Sequence, residues 1–187
     1  MQQQASETMN KAEMAQLTRK GNAYLEQSRR ADPQKNLNEA HHIFDKILSA
    51  QKLQQPPAEP KELAHTYNKL RSVSYGLSHL EFAPDRRMKY IDHAACYGDR
   101  AIECAVASRN DDRVAQMRFY RACVQAQKLE LKTEERRRFQ APTDLEMSNA
   151  EDAVVMAWTA LQSIEGSDMN LYEPMRVRSL RQLAPRG

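Results

Sequence analysis

The chain has 187 residues, with 28 Lys and Arg, 25 Asp and Glu, and a formal net charge of +3. Its hydrophobic fraction of 41% and mean hydropathy of −0.80 are typical of a globular protein, and no apolar run is long enough for a membrane-spanning helix. We expect one helical domain over residues 1–187, with residues 1–10 frayed. Met1–Glu7 has neither a basic nor an apolar stretch, so we expect no secretory signal and an intracellular location, cytoplasmic or nuclear.

The charge excess lies at one end of the chain. Residues 171–187 hold four arginines and one acid, Glu173, whereas residues 1–170 hold equal numbers of acidic and basic residues. A neutral body argues against a nucleic-acid surface, which normally carries a clear basic excess. We expect residues 171–187 to form an Arg-rich capping helix and tail; the alternative is an amphipathic element that binds an acidic partner.

Good helix formers dominate, and no stretch alternates apolar and polar residues with period two, so the sequence predicts an all-α fold. The predicted helices cover about residues 6–30, 35–53, 61–81, 85–108, 112–138, 143–165 and 172–183. These seven helices form three antiparallel hairpins and a C-terminal capping helix. Either a closed bundle or a right-handed stack of hairpins would accommodate them.

Local signals mark where the helices begin. We expect Ser6 to cap the first helix, Asn110 with its following acids to cap the fifth, and Thr143 with Glu146 to form a capping box on the sixth. The fifth helix carries apolar residues on two faces, with Met117 on one and Phe119 on the other. A helix that is apolar on two faces is covered on both sides, so we expect it to be an inner helix.

The three cysteines, Cys96, Cys104 and Cys123, each follow a helical apolar pattern, so we expect reduced thiols that pack in the interior. His93 and Cys96 lie one helical turn apart, but a second pair of zinc ligands is missing from the sequence. No nucleophile elbow, phosphate-binding loop or metalloprotease helix occurs either. We therefore predict no enzyme activity, no catalytic residue, no metal and no cofactor.

Two adjacent segments carry a family motif. Leu17-Thr18-Arg19-Lys20-Gly21-Asn22-Ala23-Tyr24 has Gly and Tyr at the spacing of the Trp-x2-Leu-Gly-x2-Tyr signature, and Ala40 precedes Phe44 as in Ala-x3-Phe. Over residues 12–48 the chain resembles a tetratricopeptide repeat, and the later, longer hairpins resemble it by architecture. Small Gly21 and Ala40 would let the paired helices approach, while Tyr24 and Phe44 fill the space beside them.

This resemblance implies a binding face lined by the first helix of each hairpin, here helices one, three and five. One subclass of the family clamps an acidic peptide C-terminus with Asn, Lys and Arg side chains. The resemblance matches Asn22 to the first Asn of the clamp and Asn68-Lys69 to its second-repeat element. Arg118 and Arg121 are available on helix five for the charges of the third repeat. Amide and guanidinium donors suit a carboxylate chemically.

The sequence thus predicts a non-catalytic interaction module that binds a protein or peptide partner, one with an acidic C-terminus in the clamp interpretation. Two alternatives stay open. The first is a structural subunit that forms a homodimer or docks through its C-terminal helix. The second is an RNA-binding helical repeat, against which the neutral body speaks. We expect no membrane partner.

Overall fold

The computed structural model describes residues 9–136 and 144–162. All regular structure in these residues is helical, which confirms the all-α prediction for this part of the chain. The helices are α1 (Lys11–Gln27), α2 (Pro33–Leu53), α3 (Pro60–Leu80), α4 (Pro84–Ala107), α5 (Asp111–Arg136) and α6 (Asp144–Gln162). The predicted seventh helix over residues 172–183 lies outside the described residues. No helix within residues 9–136 and 144–162 combines the length and the apolarity that crossing a membrane requires.

Three helices begin at a proline. Pro33, Pro60 and Pro84 are the first residues of α2, α3 and α4, whereas the sequence interpretation starts each helix one or two residues later. The reason is that the first helical residue needs no N–H partner, and the fixed φ of proline suits the helix there. Each proline therefore marks both the end of a connecting segment and the first residue of the next helix.

A reciprocal capping box marks the start of α1 within the described residues. Asn10 precedes the helix: the Glu13 backbone N–H donates to Asn10 Oδ1 over 2.9 Å, and the Asn10 backbone N–H donates to Glu13 Oε2 over 2.9 Å. This reciprocal pair satisfies two N–H groups that the first turn leaves open. The predicted cap at Ser6 lies outside the described residues; within them, α1 begins at Lys11 with Asn10 as its cap.

The start of α5 agrees with the prediction. Asn110 precedes the helix, and its Oδ1 accepts a hydrogen bond from the backbone N–H of Arg113 over 3.1 Å. Asp111 and Asp112 occupy the first turn, where negative charge complements the helix dipole. The predicted capping box at Thr143 lies outside the described residues.

Extensive contacts in the described chain join only consecutive helices, from α1 with α2 through to α5 with α6. Each described helix therefore packs mainly on the helices that neighbour it in sequence. The inner position of α5 is confirmed, because Met117 and Phe119 are both buried although they face different ways. Phe119 reaches α6, where its ring centroid lies 5.7 Å from that of Trp158.

The first hairpin closes at the predicted small residue. Gly21 on α1 is so close to the Phe44 ring on α2 that an added Cβ would lie 2.8 Å from Cζ. Phe44 is only 1% exposed, and Ala40 one turn before it is fully buried. Tyr24 packs against the same apolar cluster. Glycine therefore sets the approach of the two helices, since any side chain would meet the aromatic ring.

The three cysteines form no disulfide and have three different environments. Cys123 is buried, Cys104 is half-buried and Cys96 is exposed. The prediction of an interior thiol is thus wrong for Cys96, because the buried stripe of α4 passes through its neighbour Ala95. His93 is exposed as well, and the described residues contain no cluster of three or more metal-ligating side chains.

Candidate functional site

One cleft on the molecule is lined by α1, α3 and α5 together, and its volume is about 430 Å³. Residues of α1, the turn after it and α3 supply most of its polar walls, and Tyr120 of α5 closes one side. The polar and charged lining residues are Asn22, Glu26, Ser28, Arg29, Asn68, Lys69, Arg71 and Ser72. Three cations therefore surround this cleft against a single carboxylate.

Arg71 forms the floor of the cleft and is only 5% exposed. Its Nε donates to Asn68 Oδ1 over 2.9 Å, and its Nη2 donates to Ser72 Oγ over 2.6 Å. Its guanidinium carbon lies 4.2 Å from the centroid of the Tyr120 ring. On the α4 side the stem passes Gly98, where an added Cβ would be 3.7 Å from Arg71 Cδ. Contacts from three helices thus fix the position of the guanidinium.

Arg71 has no counter-ion among the residues that the structure describes, since no carboxylate there forms an ion pair with it. Burial lowers its pKa, but a guanidinium stays protonated in proteins. A buried charge without a partner is unfavourable by several kcal/mol in order of magnitude. Its Nη1 group makes no hydrogen bond within the described chain. These donors are suited to an anion that enters the cleft.

Lys69 adds a second positive charge to the same wall and is half-buried. Burial is the main cause that lowers the pKa of Lys69, and the nearby charges of Arg113, Arg29 and Arg71 lower it further, while Glu26 raises it. The like charges around the cleft thus repel one another. Glu26 is the acid of the lining, and it already pairs with Arg29 over 3.3 Å. An incoming carboxylate would relieve this repulsion.

Asn22 supplies a neutral polar group on the α1 wall. Its Oδ1 atom is buried and has no hydrogen-bond partner among the described residues, a state that costs about 1–3 kcal/mol for a polar atom away from water. Asn68 opposite is different, because its Oδ1 already accepts from Arg71. Asn22 is therefore the amide that has a free site for a ligand.

The predicted site residues fall into two groups. Asn22, Asn68 and Lys69 come together in the cleft, on α1 and α3. Arg118 is exposed and does not line it. Arg121 forms a two-bond ion pair with Asp99 of α4, at 2.6 Å from Nε to Oδ1 and 3.1 Å from Nη2 to Oδ2. The two arginines point elsewhere because Tyr120, between them in sequence, is the residue of α5 that faces the cleft.

Sequence reasoning missed Arg71, the most buried cation of the site. A signal for it exists: Arg71 lies seven residues after Ala64 and four after Tyr67, which both belong to the apolar residues that recur at helical spacing in the third predicted helix. Residues at these spacings share one face of a helix. A charged residue in such a register is either paired in the interior or placed there for a ligand.

Comparisons with known proteins leave the site to be interpreted from its own geometry. No family model matches the sequence, no curated protein matches it significantly, and no solved structure matches its fold significantly.

Proposed function

We propose that this chain is a non-catalytic interaction module that binds the acidic C-terminal end of a partner peptide in the cleft between α1, α3 and α5. The observation that carries the proposal is Arg71, a guanidinium fixed by Asn68, Ser72 and Tyr120 but without a carboxylate partner in the described chain. A peptide carboxylate supplies the missing counter-charge, and guanidinium–carboxylate pairs are among the strongest polar contacts in proteins.

Each lining residue then has a role in holding the peptide. Arg71 donates from Nη1 to the carboxylate, and Lys69 adds the second charge that suits two negative groups near one chain end. The unpartnered Oδ1 of Asn22 accepts an N–H of the peptide backbone. Arg29 lies at the rim, where it is exposed. A charge at such a position raises the association rate of an acidic peptide more than it raises the affinity.

A tetratricopeptide-like arrangement of the helices is part of this proposal. It is supported by the contacts between consecutive helices and by the packing of Phe44 on Gly21 in the first hairpin. In such a stack the first helices of successive hairpins share one face. That sharing is consistent with a cleft lined by α1, α3 and α5.

The test uses the full chain and labelled peptides of about eight residues that end in two aspartates, with binding followed by fluorescence anisotropy. We expect binding of the peptide with a free terminal carboxylate. Amidation of that terminus, or replacement of both aspartates by asparagine, should weaken binding at least about tenfold, the loss expected for one charge-assisted contact.

Variants assign the contact to the cleft. Arg71→Met and Lys69→Gln should each lower the affinity for the acidic peptide at least about tenfold. Arg118→Gln, outside the cleft, should change that affinity less than about twofold. Because Arg71→Met removes the buried charge and also its contact with Tyr120, the melting temperature of each variant is measured together with its binding, and Lys69→Gln, which leaves that contact intact, separates lost binding from lost folding. Equal binding of the free and amidated peptides, or undiminished binding by Arg71→Met, would refute the proposal.

A further inference from the structure

A second cavity, of about 470 Å³, lies beside the first on the same face of the helices. On α1 it is lined by Met14, Ala15 and Thr18, and the cleft continues from Asn22 at the same helical spacing. On α3, His65 lines the second cavity and Lys69, four residues later, lines the cleft. Residues spaced by three and four lie on one face of a helix. The two cavities are therefore successive parts of one groove.

The second cavity contains its own unsatisfied polar atom. Gln51, at the C-terminal end of α2, lines it and is only 7% exposed. The Oε1 atom of Gln51 is buried and accepts no hydrogen bond from residues 9–136 or 144–162. A buried acceptor without a donor is unfavourable, and it selects a ligand that brings an N–H group.

The charges of this cavity differ from those of the cleft. Lys11, Lys61 and Arg113 face Glu59 and Glu62, so the two signs nearly balance. His65 is also present, and burial followed by the charges of Lys69 and Arg113 lowers its pKa, which favours the neutral ring. Because the charges nearly cancel, a second anion would be stabilised little in this cavity. A neutral polar group such as a peptide backbone suits the cavity better.

Helix geometry fixes how far apart the two parts are. Ala15 and Asn22 are seven residues apart on α1, which at 1.5 Å per residue is about 10 Å. An extended peptide advances about 3.3 Å per residue. A peptide whose acidic end lies at Arg71 therefore reaches the cavity of Gln51 with the residue about three or four positions before that end.

We propose that the cavity at Gln51 binds the backbone N–H of an extended partner peptide about three or four residues before its acidic C-terminus. The inference rests on the proposed function of the cleft and adds a subsite to it. The partner is then a segment of at least about four or five residues in extended conformation, since a shorter segment does not reach Gln51.

The experiment compares two peptides with the same acidic end, one of about three and one of about seven residues. The longer peptide should bind the wild-type chain about tenfold more tightly. Gln51→Met removes the acceptor at similar side-chain length, so it should abolish this advantage while the affinity for the short peptide stays the same. Gln34→Met, the same substitution at an exposed glutamine of α2 that lines neither cavity, is the matched control and should keep the advantage.

A scan of N-methylated long peptides on the wild-type protein gives a second measurement that does not depend on the folding of a variant. Methylation should weaken binding about tenfold at one position, three or four residues before the end, and much less at its neighbours. If both peptides bind equally, or the scan is flat, the subsite is absent while the proposed function stands. If neither peptide binds, the proposed function fails first.

Discussion

The guanidinium carbon of Arg71 lies 4.2 Å from the ring centroid of Tyr120, so a cation from α3 rests on an aromatic ring from α5. The ring faces the cleft. A desolvated arginine on an aromatic face is stabilised by about 2 kcal/mol. The contact links the two helices and holds the guanidinium where a ligand can reach it.

Replacement of this ring tests the link. Tyr120→Leu removes the aromatic face, and we expect a decrease of about 1–2 kcal/mol in the free energy of unfolding. Tyr120→Phe keeps the ring and should lose less than half as much. Urea denaturation followed by circular dichroism measures both. A loss in Tyr120→Phe as large as that in Tyr120→Leu would mean that the hydroxyl, and not the ring, stabilises the contact.

The lowered pKa values of two histidines lead us to expect that stability depends on pH. Burial is the main cause that lowers the pKa of His65, with Lys69 and Arg113 lowering it further. Burial likewise lowers the pKa of His41, helped by His93 and His42 and opposed by Asp45. In the unfolded chain both rings titrate near the ordinary value of about 6.5, so below that pH the unfolded state binds more protons than the folded state. Stability should therefore fall as the pH is lowered from about 7.5 to about 5.5.

The measurement is the free energy of unfolding in urea at several pH values in this window, which lies above the titration of ordinary carboxylates. His41→Gln and His65→Gln should each reduce the slope, and the double variant should flatten it further. A wild-type stability that stays level or increases toward acidic pH would contradict the prediction.

Because Gly21 packs directly on the Phe44 ring, we expect that adding a methyl group at residue 21 destabilises the protein. In Gly21→Ala the new Cβ would lie 2.8 Å from Cζ of a ring that is 1% exposed. Overpacking of this kind costs about 1–3 kcal/mol, while alanine gains about 1 kcal/mol in helix propensity. The clash is larger, and we expect a net loss of about 1 kcal/mol in the free energy of unfolding.

A double-mutant cycle identifies the cause. Phe44→Leu removes the atoms that the methyl group meets, so Gly21→Ala should be neutral or stabilising in that background, with a coupling of about 1–2 kcal/mol. If Gly21→Ala changes the free energy of unfolding equally in both backgrounds, the Phe44 ring is not the cause of the destabilisation.

Much of the helical architecture could be predicted because its signals are local. The apolar faces of α5 identified it as an inner helix, and Met117 and Phe119 are both buried. Asn110 was recognised as the cap of α5 from its side chain alone. One difference is local as well: α1 begins at Lys11 with Asn10 as its cap, later than the predicted start near residue 6, since the reciprocal capping box fixes the helix start.

The candidate site was only partly predictable. Asn22, Asn68 and Lys69 follow from the family resemblance and lie in one cleft. Arg118 and Arg121 were chosen by their position on the fifth helix, but the rotation of α5 about its axis cannot be read from that helix alone. Arg121 pairs with Asp99 across the α4–α5 contact, and Tyr120 takes the place facing the cleft.

The sequence by itself determined the helices and their apolar faces, because backbone hydrogen bonds, caps and the 3.6-residue period act within a few residues of the chain. Only the tertiary structure decided which charged groups are buried together. Arg71, Lys69 and Asn22 belong to helices separated by tens of residues, and their shared environment arises when α1, α3 and α5 align on one face. Burial and charge are properties of that arrangement, so a guanidinium without a carboxylate partner in the described part of the chain becomes evident only after the helices pack.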